Sequence, residues 1–410
     1  MNRRLALLLI ALLAVKAIFL AFDAEPSFHF RDSAVYLATA IGKWIPPNRS
    51  FVYGLILRPI ALWPRSLTPV LVMHAGLSGI ASWIVGICLI RYFASGFMIA
   101  SLCSIACAVE PLQLRAERYV LTESVSAFVF AVFLVAIFSY LKTSSVSLLA
   151  VIQILAVLLV SLRISFLPAA WIASFLVPLA SRRAISFWRS SRQAMRRGSG
   201  GIKWIRAIRF VLLPLSFSIL LSQSLLFGYR HLYGELLNQP PAYTSRGVLP
   251  ASADVGAGDL FGWLKLAASK YAEYFNAGKL RRSLQTDGGQ FVDALPGETQ
   301  AIKIAFGIDV TKQSSTLATM SLTRKWEERS VLWCWFVVIL PLLYPVYLVI
   351  KWRHIRVPHI VIGLCGLILL FEVVVPIEYP NPRYLTTLAW LAFLMIGSVG
   401  TRLLKRGESL

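Results

Sequence analysis

Acidic residues are scarce in this chain. Its 410 residues hold 19 Asp and Glu against 41 Lys and Arg, a formal charge of +22 at pH 7. So few carboxylates leave few candidates for moving a proton, and each one's position matters. Charge of either sign makes up only 15% of the chain, while hydrophobic residues make up 57%. That balance excludes an ordinary soluble globule. The five histidines, His29, His74, His231, His354 and His359, show no metal-ligand spacing with an acid nearby. No cofactor is expected, and a divalent cation finds no ligand set. The five cysteines lie in or beside apolar runs, which excludes a disulfide framework outside a membrane. There is no Walker loop, dinucleotide fingerprint or Gly-x-Ser-x-Gly elbow, so nucleotide-driven pumping and serine hydrolysis lose support. No basic–aromatic groove or nucleic-acid module occurs, and no repeat of fixed period.

Long apolar runs are what the chain does have. Ten read as membrane spans, at about 5–22, 67–90, 97–109, 123–141, 146–162, 165–180, 210–227, 331–350, 358–377 and 385–401. The first follows Arg3 and Arg4 and lacks a small-x-small cleavage site, so it reads as an uncleaved helix. Arg182 to Arg209 holds nine basic residues and no acid, which places that loop on the cytosolic face. Both termini then fall on that face. Three parts follow: an N-terminal membrane module over 1–227, an extracytoplasmic segment over 228–330, and C-terminal membrane helices over 331–410. The segment 228–330 reads as loops and short helices, with an amphipathic aromatic stretch over 260–275. The expected fold is an all-α polytopic bundle of about ten spans, with two short helices lying in the interface within the first outer loop. The expected location is a bacterial inner membrane, with anionic lipids as partners for the excess positive charge.

This topology sends almost every acid to the outer face. Asp32 lies in Asp32-Ser33-Ala34-Val35-Tyr36, where Asp32 and Tyr36, four apart, share a helix face. His29 is close by and reads as a surface histidine. Glu123 opens the fourth span, with Tyr119 four residues earlier and Arg118 beside it. Arg383-Tyr384 opens the last span after a rigid Pro380-Asn381-Pro382 lead. Each has a plain reading: Asp32 as a helix cap, Glu123 as first-turn stabilisation, Arg383 as a snorkelling cation. Lys16, inside the first span, reads as snorkelling, and Glu117 and Arg118 as solvated charges.

Asp32-Ser33-Ala34-Val35-Tyr36, Arg118-Tyr119-Val120-Leu121-Thr122-Glu123 and Pro382-Arg383-Tyr384-Leu385 occur in an order that resembles the GT-C membrane glycosyltransferases, which include protein mannosyltransferases and aminoarabinose transferases. The resemblance covers most of 1–180 as architecture and only short motifs as sequence. Here Asp32 is followed by Ser33, where that family often has a paired Asp-Glu. The resemblance implies transfer of one sugar from a polyprenyl-phosphate donor to a lipid, glycan or protein acceptor at the outer face, with inversion. It implies Asp32 as general base, Glu123 as an orienting carboxylate, and Tyr36, Arg118, Tyr119, Arg383 and Tyr384 as substrate-binding groups. Two other classes are a lipid or solute transporter or flippase, and a non-catalytic subunit of an envelope-glycan assembly complex.

Overall fold

The structure is a computed structural model. It describes residues 3–28, 32–42, 45–46, 49–196, 208–237, 265, 268–269, 271–280, 296–307, 330–351, 356–374 and 382–407. These are helical nearly throughout, and their extended backbone pairs only at one isolated bridge. Apolar runs favour this outcome, because in lipid a helix satisfies its backbone N–H and C=O groups within one segment. Six helices are long and apolar enough to cross a membrane, or up to eight if each of two bent pairs is one span. A helical membrane protein fits this make-up.

Helices α1 (Arg3–Phe22), α2 (Asp32–Gly42) and α3 (Phe51–Leu57) come first. A π-helical turn, Arg58–Leu62, continues α3. Next come α4 (Thr68–Phe93), α5 (Phe97–Ala108), α6 (Pro111–Arg118) and α7 (Glu123–Thr143). Then follow α8 (Val146–Leu162), α9 (Leu167–Leu179), α10 (Arg182–Arg196) and α11 (Leu213–Leu237). The last are α12 (Pro296–Phe306), α13 (Val331–Ile350), α14 (Val357–Val374) and α15 (Thr386–Gly407).

Helices α4, α7 and α15 form the centre of the bundle, with most of their apolar windows buried inside the protein. Helices α1, α11 and α13 lie outside them, with most of theirs facing outward. Apolar side chains toward lipid and tight packing inward are what a bilayer solvent favours. Two indoles clamp the bundle: Trp390 Nε1 donates to Ala81 O at 2.9 Å, and Trp83 Nε1 donates to Leu5 O at 2.8 Å.

The departure from expectation lies between α5 and α6. Glu110 caps α6, accepting from Leu112 N and Gln113 N, and Pro111 occupies the first turn. Carboxylate cap and N1 proline together start a new helix. It is bent 46° from α5. All eight residues of α6 are buried, although Gln113, Arg115, Glu117 and Arg118 make it polar. A polar helix inside a bundle is stable only if its charges find partners there. Those partners build the site.

Candidate functional site

Glu117 is fully buried and pairs with Lys16 of α1, which is itself 1% exposed. Ser78 Oγ donates to the same carboxylate oxygen at 2.6 Å, and Lys16 also donates to Ala108 O at 2.5 Å. Arg118, 3% exposed, has Asp23 Oδ2 3.8 Å from its Nε. Lys16 therefore does not snorkel, and neither Glu117 nor Arg118 is solvated. The physical reason is the α6 bend, which turns these charges inward toward α1 and α4 instead of out to water.

The end of α6 is tied to the first loop. Ser27 N donates to Arg118 O at 2.7 Å, and Val120 N donates to Ser27 O at 3.1 Å. This parallel bridge holds the chain leading into α2 against the chain leading into α7. Residues 119–122 are consequently not helical, so Tyr119 and Glu123 do not share a helix face as the four-residue spacing implied. Asp32 and Tyr36 do share α2.

Helix α2 is held close to α3. Gly54 allows it: a Cβ there would lie 2.5 Å from Thr39 Cβ and 3.0 Å from Tyr36 O. Arg58 Nη1 donates to Ala40 O at 2.7 Å, closing the far end of α2. The Tyr36 ring meets the Tyr53 ring edge-on at 5.0 Å, and Tyr53 OH lies 3.0 Å from His74 Nε2. The near end of α2 delivers Asp32.

Asp32 meets two arginines. Its Oδ2 lies 2.8 Å from Arg383 Nη1, and its Oδ1 accepts from Arg49 Nε at 2.8 Å. Arg383 Nε lies 3.8 Å from Glu123 Oε1, and Arg163 Nη1 lies 3.6 Å from the same oxygen. Arg383 thus stands between the two carboxylates. The Tyr384 ring has the Arg163 guanidinium at 4.7 Å and the Arg383 guanidinium at 4.5 Å from its centre. Arg383 also donates to Tyr384 OH. Such cation–π contacts fix the direction of a guanidinium fork. Arg49 is oriented through its backbone, where Tyr233 OH of α11 donates to Arg49 O at 2.8 Å.

The structure therefore brings Asp32, Glu123, Tyr36, Arg383 and Tyr384 together. Tyr119 borders the same place, with the Arg115 guanidinium 5.3 Å from its ring centre. A cavity of about 10 Å³ is lined by Arg115, Tyr119, Glu123, Arg383 and Thr386, room for about one water. Arg118 sits one step away, against Asp23. None of its three guanidinium nitrogens has a hydrogen-bond partner among the described residues. His29 and Pro380-Asn381 lie outside the described residues, as does most of 228–330.

Three arginines against two carboxylates make the cluster net positive. Burial raises the Tyr36 hydroxyl pKa above its ordinary value, and the Asp32 and Glu123 carboxylates raise it further. Tyr36 stays a neutral O–H donor at any physiological pH. Burial works against the charge on Arg49, but Asp32, Tyr36 and Tyr384 together outweigh it and raise that pKa. Among the described residues no three His, Cys, Asp or Glu side chains are grouped to hold a metal.

Sequence reasoning missed Arg49 and Arg163. Both had a signal: in the expected topology they are arginines on the face where the positive-inside bias does not place them.

No protein-family model matches this chain, and neither a curated protein nor a solved structure matches it.

Proposed function

We propose that the chain is a membrane glycosyltransferase of GT-C type, moving one sugar from a polyprenyl-phosphate donor to an acceptor at the extracytoplasmic face. One observation carries the reading: Arg383 lies between Asp32 and Glu123, three residues brought from distant parts of the chain. In this reading α8 and α14 also cross the bilayer, giving about ten spans. Both termini are cytoplasmic, the membrane is a bacterial inner membrane, and α12, packed on α2, belongs to the acceptor-side segment.

The chemistry follows from the charges. The donor's phosphate draws Arg383 away from Asp32, since a phosphate accepts from the same guanidinium fork. Asp32 is then free to take the proton of the acceptor hydroxyl as its oxygen attacks the anomeric carbon. The bond from that carbon to the phosphate oxygen breaks, and its electron pair stays on the lipid phosphate. Arg383 and Tyr384 stabilise that charge, with Arg163 behind them and the orphaned donors of Arg118 at one side. In this reading arginine meets the leaving group's charge. The small cavity means that the Asp32–Arg383 pair opens when a donor binds.

The test is transfer of labelled sugar from a set of polyprenyl-phosphate donors in membranes, comparing wild type with Asp32→Asn. Transfer should fall by about 10²–10⁴-fold with expression retained. Undiminished transfer removes Asp32 as the base. No transfer from any donor in wild type favours a non-catalytic subunit.

A second reading, lipid or solute transport, draws on the Lys16–Glu117 pair, since ionisable groups inside a bundle mark transport paths in other membrane proteins. It requires flux in reconstituted vesicles that Lys16→Met abolishes.

A further inference from the structure

A second charged place lies at the opposite end of the bundle. Lys142 ends α7, which Glu123 begins, so the two are roughly 28 Å apart at about 1.5 Å per residue. There a cavity of about 690 Å³ opens between the ends of α4, α7, α10 and α14. Arg91, Lys142, Arg182 and Arg356 line it, together with apolar walls that include Phe138 and Leu141. Among the described residues, none of the four cations pairs with a carboxylate. Lys142 has only neutral company, a 2.9 Å bond to Arg91 O and the Tyr92 ring at 4.9 Å.

Helix stability accounts for half of this arrangement. Arg91 and Lys142 sit in the last turns of α4 and α7, where the helix dipole favours a cation. Arg182 and Arg356 do not. They stand at the start of α10 and just before α14, the ends where the dipole disfavours a cation. Two cations held at unfavourable helix ends, with two others around one cavity that no acid lines, create a positive potential that suits an anion from outside. The volume is that of a ligand site. The apolar walls continue from the bundle, so they suit acyl chain as well as headgroup. Helix α10 is strongly amphipathic and carries a half-exposed Trp188, as a helix lying in the headgroup layer does.

We propose that this cavity binds one anionic phospholipid, its phosphate held by Arg91, Lys142, Arg182 and Arg356 and its chains against the apolar walls. The site is independent of the Asp32 cluster and of any transfer there. The chemistry recognised is a phosphate anion; the apolar walls assign it to a lipid over free phosphate.

Delipidated full-length protein is to be reloaded in mixed micelles with phosphatidylglycerol or phosphatidylcholine, and retained lipid counted by native mass spectrometry. Wild type should retain one phosphatidylglycerol at least tenfold more readily than phosphatidylcholine. The variant R91Q/K142Q/R182Q/R356Q should lose the preference to within about twofold. S186W, which puts an indole into the cavity among the four cations and leaves them all in place, should lose it as well. R183Q/R209Q, which removes two exposed cations outside the cavity, should keep it. Circular dichroism and size exclusion establish folding, and S186W carries the test if the quadruple variant does not fold. A preference that survives S186W, or is lost equally in R183Q/R209Q, means diffuse surface attraction and overturns the site. Displacement of the lipid by millimolar inorganic phosphate alone overturns the lipid assignment.

Discussion

At one end of this bundle the charges are paired across signs and mostly buried; at the other they are of one sign and exposed. Asp32, Glu123, Arg383 and Arg163 lie within 4 Å of their partners with side chains no more than 15% exposed. Arg91, Lys142, Arg182 and Arg356 are exposed and line one cavity, with no acid among its lining residues. The difference is one of what each end can tolerate. A buried charge must be neutralised within the protein, so the first end is built from contacts that fail if one member is removed. An exposed charge keeps its solvent, so the second end is free to wait for a partner from outside. In the proposed reading, the paired end holds its cations against carboxylates until a phosphate competes for them.

The largest break of this contrast is Arg383→Met. It leaves Asp32 with Arg49 and Glu123 with Arg163, so the stability lost is that of broken buried contacts, about 1–3 kcal/mol, and the larger effect is on transfer. Melting in detergent should show that loss, and sugar transfer should vanish with it. Arg383→Lys should restore much of the stability and little of the transfer, because an ammonium is a point charge and does not span both carboxylates. Equal recovery of both would mean that charge alone, without the fork, is what the site needs.

Next comes the Lys16–Glu117 pair. Lys16→Met alone should cost about 3–5 kcal/mol by stranding Glu117. The double variant Lys16→Met with Glu117→Leu should recover most of it, since a well-packed apolar pair replaces a buried ion pair at little or no cost. If the double variant is no more stable than the single, Ser78 and not Lys16 is what keeps Glu117 inside.

These two clusters differ in how far they were legible beforehand. Asp32, Glu123 and Arg383 were readable as a set because the expected alternation of apolar runs puts all three at one face. Their meeting needs only that the helices pack; their roles are the proposal. Lys16 and Glu117 were not readable. They are 101 residues apart, and nothing local marks α6 as buried, because its composition is that of a surface helix. The bend at Glu110-Pro111 was visible as a cap and an N1 proline, yet the direction of the bend is set by partners on α1 and α4. Helix ends fared better: α8 and α13 span the expected 146–162 and 331–350. Their apolar runs begin after Ser145 and Ser330 and stop at Arg163 and Lys351, and that is local information.

The smallest effect expected is at the exposed end, and it sharpens the comparison most. Lys142→Gln removes a cation whose partners are a carbonyl and an aromatic ring, both close to solvent. Stability in neutral detergent should change by no more than about 0.5 kcal/mol, as for surface substitutions generally. The same variant measured in phosphatidylglycerol micelles should lose part of the stabilisation that this lipid gives wild type, and that part should shrink as salt rises from 0.05 to 0.5 M, because exposed charge is screened over a Debye length of about 10 Å at 0.1 M. The Arg383 variants should show no comparable salt dependence, since their charges are shielded by protein. Should Lys142→Gln cost as much in neutral detergent as Arg383→Met, the two ends are built alike, and the division of labour between a closed, paired site and an open, cationic one fails.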